Sequence, residues 1–315
     1  MMSKDRKLSV IVPCYNEEEV IETCYLRIAD VFKNIDYTLE LIFINDGSAD
    51  KTAELITQIC EKDKRVVFID LSRNFGKEAA MSAGIDMMSG DAAIILDADL
   101  QDPPEIIPQF IALWEQGYDN IYGVRTERDG ESWFKKMTAT YFYRILKKMS
   151  HVEIPRNAGD FRLLSRRAID AIRKLPERQR FMKGLFAWVG FKTIAVEYKR
   201  HARVAGNTKW NYWNLWNFAI EGITSFSTLP LRLASYIGIL ISFVSFIYAV
   251  FIFIRTLIYG VSVDGYASQM VVILFLGGLQ LLFLGIIGEY LGRIFNETKD
   301  RPLYMTKNII NLPDD

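Results

Sequence analysis

The chain has 315 residues, enough for one large domain or two smaller ones, and half of its residues are hydrophobic. Its 38 basic and 38 acidic side chains cancel, so no basic excess supports bulk binding of nucleic acid. The three cysteines, Cys14, Cys24 and Cys60, show neither CxxC nor metal-ligand spacing, which predicts free thiols in a reducing compartment.

The first hundred residues repeat a strand followed by a polar loop. The runs "LSVIVPCYNEEE", "LELIFINDGSADKT", "RVVFIDLSRNFGKEAA" and "DAAIILDADL" predict four strands, and the first three lead into helices. Such alternation predicts a parallel sheet with helices on both faces. Ligands bind beyond the carboxyl ends of the strands in these sheets. Here those ends carry four polar clusters, at residues 15–17, 45–48, 73–77 and 97–101.

Missing motifs narrow the chemistry of this predicted site. No GxGxxG follows the first strand, so the usual dinucleotide site is unsupported, and no GxxxxGK[ST] is present for a P-loop. The two histidines, His151 and His201, belong to no HExxH or Cys/His set. Zinc catalysis is therefore not expected.

In "AAIILDADLQDPPE", an apolar run is followed by three aspartates. In an extended segment, Asp97, Asp99 and Gln101 would present oxygens on one side, because residues two apart face the same way. Such hard oxygens suit Mg²⁺ or Mn²⁺, which would bridge a diphosphate. Any acidic turn can produce a lone DxD. At the end of the fourth strand, beside three other polar clusters, it favours a metal and diphosphate site.

Two later runs predict membrane helices. Residues 233–254 and 265–288 contain no charge, and each run exceeds the roughly 20 residues that cross a bilayer as a helix. Two buried core helices are the alternative, but soluble helices of this length keep a polar stripe. Cations flank the outer ends of the runs: Arg232, Arg293, Lys299, Arg301 and Lys307. The positive-inside rule therefore predicts that both ends, and the large domain, are cytoplasmic. Arg255 is an exception, and we expect it to reach the outer interface.

Residues 210–226, "WNYWNLWNFAIEGITSF", lie between the domain and the first run. Asparagines recur on one face at helical spacing, and Trp213 and Trp216 lie on another. This pattern predicts an amphipathic helix in the headgroup plane. A buried, tryptophan-rich core helix is the alternative, which the adjoining membrane span disfavours.

The segments "VIVPCYNEEE", "FINDGSADKT", "LSRNFGKEAA", "LDADLQDPPE", "NAGDFRLLSR" and "GNTKW", followed by two spans, resemble family 2 glycosyltransferases of the polyprenyl-phosphate type. That group includes dolichyl-phosphate mannose synthases. Bacterial bactoprenol glucosyltransferases are the most similar, through "NFGKE", "GDFRLLSR" and "LWNFAIEGITSFSTLPLR". The resemblance implies an α/β GT-A domain with a Rossmann-like, mostly parallel sheet over residues 1–209. An interfacial region (210–231), two transmembrane helices (232–294) and a cytoplasmic tail (295–315) would follow.

The same resemblance implies inverting transfer of a hexose to undecaprenyl phosphate, with glucose from UDP-glucose favoured. The product would serve modification of O-antigen or another cell-envelope glycan. GDP-mannose, UDP-GlcNAc, UDP-galactose and a UDP-4-amino-arabinose derivative are the alternative donors. The implied location is the bacterial inner membrane, and the implied partners are the nucleotide sugar, the lipid phosphate, the membrane and further copies of the chain in a homotetramer.

The resemblance also implies the site, residue by residue. The nucleotide sugar would contact seven residues: Pro13, Tyr15, Glu17, Asp46, Lys77, Asp97 and Asp99. Mg²⁺ or Mn²⁺ would be held by Asp97, Asp99 and Gln101. The acceptor phosphate would contact Arg125, Arg128, Arg203 and Lys209, and a solvated surface charge is the alternative for each arginine. The implied catalytic residues are Asp99, Arg203 and Asp160, the last beside the anomeric carbon. A structural pairing of Asp160 with Arg162 or another cation is the alternative.

The acceptor's chemistry constrains the role of Asp160. A phosphate monoester has a second pKa of about 6, so it is largely a dianion and a competent nucleophile at neutral pH. We therefore expect Asp160 to orient the donor sugar or to stabilise positive charge at the anomeric carbon, rather than to act as an obligatory base.

Two other classes of function remain open. A processive polysaccharide synthase would share the DxD domain but adds a QxxRW motif and a many-helix channel. Here Gln179 and Arg180 are followed by Phe181 without that motif. A non-catalytic membrane scaffold would not need four converging polar clusters.

Overall fold

The structure is a computed structural model that describes residues 6–125, 158–178, 180–199, 229–259 and 265–313. The first part alternates strands and helices as expected: β1 (Lys7–Cys14), α1 (Ile21–Phe32), β2 (Thr38–Asn45), α2 (Thr52–Lys62), β3 (Val66–Leu71), α3 (Lys77–Met87) and β4 (Ala92–Ile95). A 3-10 turn (Pro104–Ile106) and a second group of elements follow: α4 (Ile107–Glu115), β5 (Asn120–Arg125), β6 (Ala158–Ser165), α5 (Arg166–Arg173), α6 (Met182–Trp188) and β7 (Thr193–Tyr198). The last elements are two long helices and a strand, α7 (Leu229–Tyr259), α8 (Tyr266–Thr298) and β8 (Thr306–Ile310).

The described strands form one eight-stranded sheet in the order β7-β5-β6-β4-β1-β2-β3-β8. The four strands β1 to β4 pair with one another in parallel, which confirms the prediction from the sequence. β6 runs antiparallel to both β4 and β5, and β8 runs antiparallel to β3. The sheet is therefore mixed but mostly parallel.

Alternating side chains of the central strands enter two separate cores. In β1, Val10 and Val12 belong to the core under α1, α2 and α4, whereas Ile11 belongs to the core under α3, α5 and α6. All three side chains are fully buried. Period-two alternation in a strand that is buried on both faces requires helices on both sides, as the sequence predicts. The three cysteines are buried free thiols, also as predicted.

Helices α7 and α8 have the length and composition of membrane spans. The candidate spans are Leu233–Tyr259 and Phe275–Thr298, and none of their most apolar stretch is buried against the protein. Side chains such as Phe246, Leu257 and Leu281 are about two-thirds or more exposed, which suits lipid surroundings rather than water. The two predicted membrane helices are confirmed as helices, and α7 begins at Leu229, slightly before the predicted boundary.

The tail after α8 returns to the sheet. β8 pairs with β3, and the main-chain N–H of Ser72 donates to the carbonyl of Met305 at 2.8 Å. The sequence predicted only a cytoplasmic tail there. Because β3 precedes the two long helices and β8 follows them, both ends of the helical pair lie on the same side of any membrane that they cross.

The predicted amphipathic helix at 210–226 lies outside the described residues, as does the boundary at 209. Both remain predictions.

Candidate active site

The loops after β1 and β2 bind each other at the carboxyl edge of the sheet. The main-chain N–H of Asn16 donates to Ser48 Oγ at 2.9 Å, and Asn16 Oδ1 accepts from the N–H of Ala49 at 2.8 Å. Asn16 has a left-handed φ of 54°, a conformation that asparagine tolerates better than most residues. Two of the predicted polar clusters therefore do meet at one edge.

The Asp46 carboxylate holds the loop after β3 through two hydrogen bonds. Its Oδ1 accepts the N–H of Phe75 at 2.7 Å, and its Oδ2 accepts the N–H of Gly76 at 3.0 Å. Burial raises the pKa of this carboxyl, and the two N–H donors offset part of that effect. A Cβ on the neighbouring Gly47 would lie 2.4 Å from the carbonyl carbon of Arg73, so only glycine allows the two loops to approach this closely. In this structure Asp46 positions the segment that leads into Lys77.

Lys77 joins two carboxylates that come from distant parts of the chain. It begins α3, and its Nζ lies 2.6 Å from Asp97 Oδ1 and 2.5 Å from Asp160 Oδ2. Burial alone would lower the pKa of Lys77, but the two carboxylates raise it above its usual range. The structure thus brings three of the predicted site residues into one ion cluster.

Asp160, in β6, is held as a carboxylate. Burial alone would raise its pKa, but the ammonium groups of Lys77 and of Lys183, whose Nζ is 3.9 Å from Oδ1, hold the pKa well below its usual range. Arg162 does not form the structural pair considered above: its Nη2 donates to the carbonyl of Gly159 at 2.9 Å, and its guanidinium lies 3.9 Å from the centre of the Phe186 ring. Lys77, not Arg162, is the cation that pairs with the Asp160 carboxylate, so the pairing with another cation is present in this structure.

The segment after β4 turns instead of continuing as a strand. β4 ends at Ile95, Leu100 has a left-handed φ of 55°, and Asp99 Oδ1 accepts the N–H of Gln101 at 3.2 Å. The expected extended geometry is therefore wrong, because a carboxylate that caps a local N–H favours a turn over a strand. Asp97 and Asp99 nevertheless leave β4 at the predicted edge.

These residues fit a divalent cation that shares its ligands with a substrate. Gln101 Oε1 is a buried oxygen with no hydrogen-bond partner in the described part of the chain, and Asp97 and Asp99 supply carboxylates nearby in the sequence. No group of three His, Cys, Asp or Glu side chains within the described ranges could hold a metal by itself. Mg²⁺ is commonly held by one or two carboxylates, with substrate phosphates and water completing its shell.

Tyr198, in β7, contacts this turn, and no sequence pattern predicted that contact. The tyrosine hydroxyl donates to Asp102 Oδ1, and both residues are buried. A Cβ at Gly123 would lie 2.6 Å from Cε1 of the Tyr198 ring, so this glycine makes room for the ring. The cue in the sequence was Asp102 itself, an acidic residue between an apolar segment and two prolines.

Lys183 and Glu78 also border the cluster and were not predicted. Burial raises the pKa of Glu78 to about 8, and its Oε2 accepts the N–H of Met182 at 3.3 Å. Lys183 lies in "PERQRFMKG", a segment that carried no assigned role in the sequence.

Other predicted residues are placed less completely. Pro13 lies in β1, Tyr15 follows it and is 38% exposed, and the main-chain N–H of Glu17 donates to Thr52 Oγ1 at 2.9 Å. Arg125 is the last residue of β5, and its side chain is not described. Three of the predicted acceptor residues lie outside the described ranges: Arg128, Arg203 and Lys209.

Together with the mostly parallel α/β sheet and the two candidate membrane helices, two family models identify the chain as a glycosyltransferase of the GT-A fold with a membrane hairpin. The chain belongs to glycosyltransferase family 2: the model "Glycosyl transferase family 2" matches residues 9–173. A second model, "GtrB C-terminal hairpin", matches residues 229–294, which include most of α7 and α8.

Relatives are similar over nearly the whole chain. An uncharacterized glycosyltransferase of Synechocystis sp. is 50% identical over 306 residues, which are 97% of this chain and 96% of that protein. The "prophage bactoprenol glucosyl transferase homolog" of Escherichia coli is 47% identical over 303 residues, 96% of this chain and 99% of that protein. The bactoprenol glucosyl transferase of Shigella phage SfV is 48% identical over 302 residues, 96% of this chain and 98% of that protein.

Proposed function

We propose that the protein transfers glucose from UDP-glucose to undecaprenyl phosphate with inversion at the anomeric carbon. The observation that carries the proposal is the Asp97–Lys77–Asp160 cluster at the carboxyl edge of the sheet. Lys77 Nζ lies 2.6 Å from Asp97 Oδ1 and 2.5 Å from Asp160 Oδ2. The names of the full-length relatives support the hexose and the lipid acceptor. The lipid-linked sugar would then serve O-antigen or another cell-envelope glycan.

The reaction is a single displacement. An oxygen of the acceptor phosphate forms a bond to the anomeric carbon, and the bond from that carbon to the nucleoside diphosphate breaks, with the electron pair leaving on the diphosphate. The acceptor is already a dianion at neutral pH, so no proton has to be removed. Asp160, with its lowered pKa, would be a weak base, but as a permanent anion it can stabilise positive charge at the reacting carbon.

Asp97, Asp99 and Gln101 are the residues that would hold Mg²⁺ or Mn²⁺. When bound, such a cation neutralises charge on the departing diphosphate. The Lys77 ammonium, 2.6 Å from Asp97 Oδ1, adds positive charge at the same edge. Pro13, Tyr15, Glu17 and Asp46 remain the proposed contacts or supports of the nucleotide.

We also propose that the protein lies in the bacterial inner membrane with its catalytic domain in the cytoplasm, where nucleotide sugars are made. The pairing of β8 with β3 supports an even number of crossings. The proposed homotetramer rests on the family resemblance alone.

The test is to incubate the purified full-length protein with undecaprenyl phosphate and each of several radiolabelled nucleotide sugars, then to identify the glycolipid by mass spectrometry. We expect one hexose per lipid phosphate, from UDP-glucose. A product from a different nucleotide sugar would show that UDP-glucose is not the donor. A lengthening glycan would favour a processive synthase. No glycolipid from any donor would contradict the proposed function.

A further inference from the structure

A cavity of about 390 Å³ opens between the beginning of α3 and the end of α8. Its wall carries five cations and one carboxylate: Lys77, Arg178, Arg180, Lys299, Arg301 and Glu78. We call it the basic pocket. One side belongs to the catalytic loop, and the other belongs to the chain that leaves the second candidate membrane span.

The basic pocket has more positive charge than its carboxylate neighbours neutralise. Lys77 is paired with Asp97 and Asp160, and Arg178 is paired with Asp300. Within the described ranges, no ion pair joins the remaining three cations to a carboxylate: Arg180, Lys299 and Arg301.

Arg180 contributes charge rather than a direct contact. It is 8% exposed, and its guanidinium donates to Ser82 Oγ at 3.2 Å and to the carbonyl of Leu175 at 3.1 Å. A buried guanidinium that is hydrogen-bonded but not paired with a carboxylate favours an anion nearby. Lys299 and Arg301 are exposed, so they are the side chains able to reach a ligand directly.

The location of the basic pocket indicates which kind of anion it binds. The candidate span Phe275–Thr298 ends one residue before Lys299, so the pocket opens where a lipid headgroup would lie. Lys77 also lines the pocket, and its ammonium contacts Asp160 at the proposed reaction centre. A phosphate in the pocket would therefore be in reach of both the membrane surface and the site of transfer.

We propose that the basic pocket binds the phosphate monoester of the lipid acceptor. This inference rests on the proposed function and adds residues that the sequence did not assign. A dianionic phosphate forms strong hydrogen bonds with guanidinium and ammonium groups, and Arg301 can donate two parallel bonds to it. The cavity is at the small end of the roughly 300–1,000 Å³ range of ligand pockets, which suits a headgroup and not a polyprenyl chain.

A purely structural role for these cations is the competing explanation. Lys299 is the C-cap of α8, and its Nζ lies 3.9 Å from the centre of the Phe295 ring. Cations at a helix C-terminus offset the partial negative charge there. That role predicts a change in stability without any change in affinity for a phosphate monoester.

The experiment uses the full-length protein with the double substitution Lys299→Gln and Arg301→Gln, both at exposed positions. Lys307→Gln is the control, because Lys307 is a cation of the same tail that pairs with Asp70 away from the basic pocket. Three affinities are measured without a second substrate: for a detergent-solubilised polyprenyl monophosphate, for phosphatidylglycerol in nanodiscs, and for UDP-glucose by calorimetry. A variant with Arg301→Lys alone keeps the charge.

We expect at least a tenfold weaker affinity for the polyprenyl monophosphate in the double variant, with phosphatidylglycerol and UDP-glucose within twofold of the wild type. Lys307→Gln should keep the affinity of the wild type, and Arg301→Lys should lose less affinity than the double variant, because lysine keeps the charge but not the second parallel bond. An unchanged monophosphate affinity overturns the proposal. An equal loss for phosphatidylglycerol would make the pocket a general surface for anionic lipids, and an equal loss for UDP-glucose would assign it to the donor; either result also overturns it. Binding is measured without transfer, so this result is separate from a failure of the enzyme to make a glycolipid.

Discussion

Lys77 is the residue on which the proposed site depends. Asp97, in the turn after β4, and Asp160, in β6, approach the same ammonium at 2.6 and 2.5 Å. The ammonium lies against both carboxylates, so it offsets the repulsion between them. Lys77 therefore allows two acidic side chains from distant parts of the chain to lie together at this edge of the sheet.

The first prediction concerns Asp99. Asp99→Asn keeps the shape of the side chain and its ability to accept the N–H of Gln101, but it removes the charge that would hold a divalent cation. We expect transfer to fall by about 100-fold or more. Calorimetry should show weaker donor binding with Mg²⁺ or Mn²⁺ present and little change without the cation. Turnover near that of the wild type would contradict the metal assignment.

The second prediction separates two roles for Asp160. Asp160→Asn removes a carboxylate whose pKa lies well below its usual range, so the wild-type residue is ionised at every pH from about 5 upward. The rate should follow the second ionisation of the acceptor, rising through about pH 6 and flat above about pH 7. We expect kcat of the variant to be lower by about 100-fold or more at every pH, and its pH–rate profile to have the same shape as that of the wild type.

The measurement is the rate of transfer as a function of pH for the wild type and for the Asp160→Asn variant. Asp30→Asn is the control, because that aspartate lies on the exposed surface of α1 and pairs with Lys33. Strong recovery of the Asp160 variant at alkaline pH would show that a base had been lost and would reject the charge-stabilising role.

At the scale of elements, β8 joins the end of the helical hairpin to the catalytic domain by pairing with β3. Asn311, just after β8, donates from Nδ2 to the carbonyls of Cys60 and Val66 at 2.9 and 3.0 Å. Its φ is 57°, in the left-handed region that asparagine tolerates. Arg178 adds a second link, since its main-chain N–H donates to Glu297 Oε1 at 3.0 Å. The loop before α6 is thus joined to the last turn of α8.

The third prediction is that Asn311→Ala destabilises this attachment. Two half-buried carbonyls lose their donor, which costs about 1–3 kcal/mol in the free energy of unfolding. For a domain of this size we expect a decrease in Tm of roughly 2–10 °C in a thermal denaturation in detergent. Lys307→Gln, in β8, should change Tm by less than about 2 °C, because the side chain is 70% exposed and its ion pair is weak. Equal shifts in the two variants would mean that Asn311 does not anchor the tail.

At the scale of the whole molecule, the sheet determines where the two ends of the hairpin can lie. β3 precedes α7 in the chain, β8 follows α8, and the two strands pair with each other. Two crossings are therefore the consistent arrangement, and the link at residues 260–264 would lie on the opposite side from the catalytic domain. The absence of Lys and Arg from that link agrees with a non-cytoplasmic position.

The fourth prediction tests this arrangement by cysteine labelling. Cys14, Cys24 and Cys60 are at most 2% exposed, so they should give little background with a membrane-impermeant maleimide. Ser262→Cys, in the link, should be labelled in intact cells. Met305→Cys replaces an exposed side chain of the tail and should be labelled only after permeabilisation. Labelling of both positions from outside would contradict two crossings with a cytoplasmic domain.

The features that depend on local pattern were predicted from the sequence. The β-branched runs indicated β1 to β4 and their parallel order, and the uncharged runs indicated α7 and α8, because period and hydropathy are properties of short segments. The DxD position was also recognised, although its backbone turns where an extended segment was expected. A capping bond from Asp99 and the left-handed Leu100 determine that turn.

The sequence by itself determined the kinds of element, the sheet edge where polar residues collect, and the two apolar helices. Only the tertiary structure decided which distant residues meet: Asp160 with Lys77, 83 positions apart, and the tail strand β8 with β3. It also decided that a basic pocket forms between α3 and the end of α8. The physical reason is that a local pattern shows that a residue will be buried or exposed, whereas its partner is selected by the packing of the whole sheet.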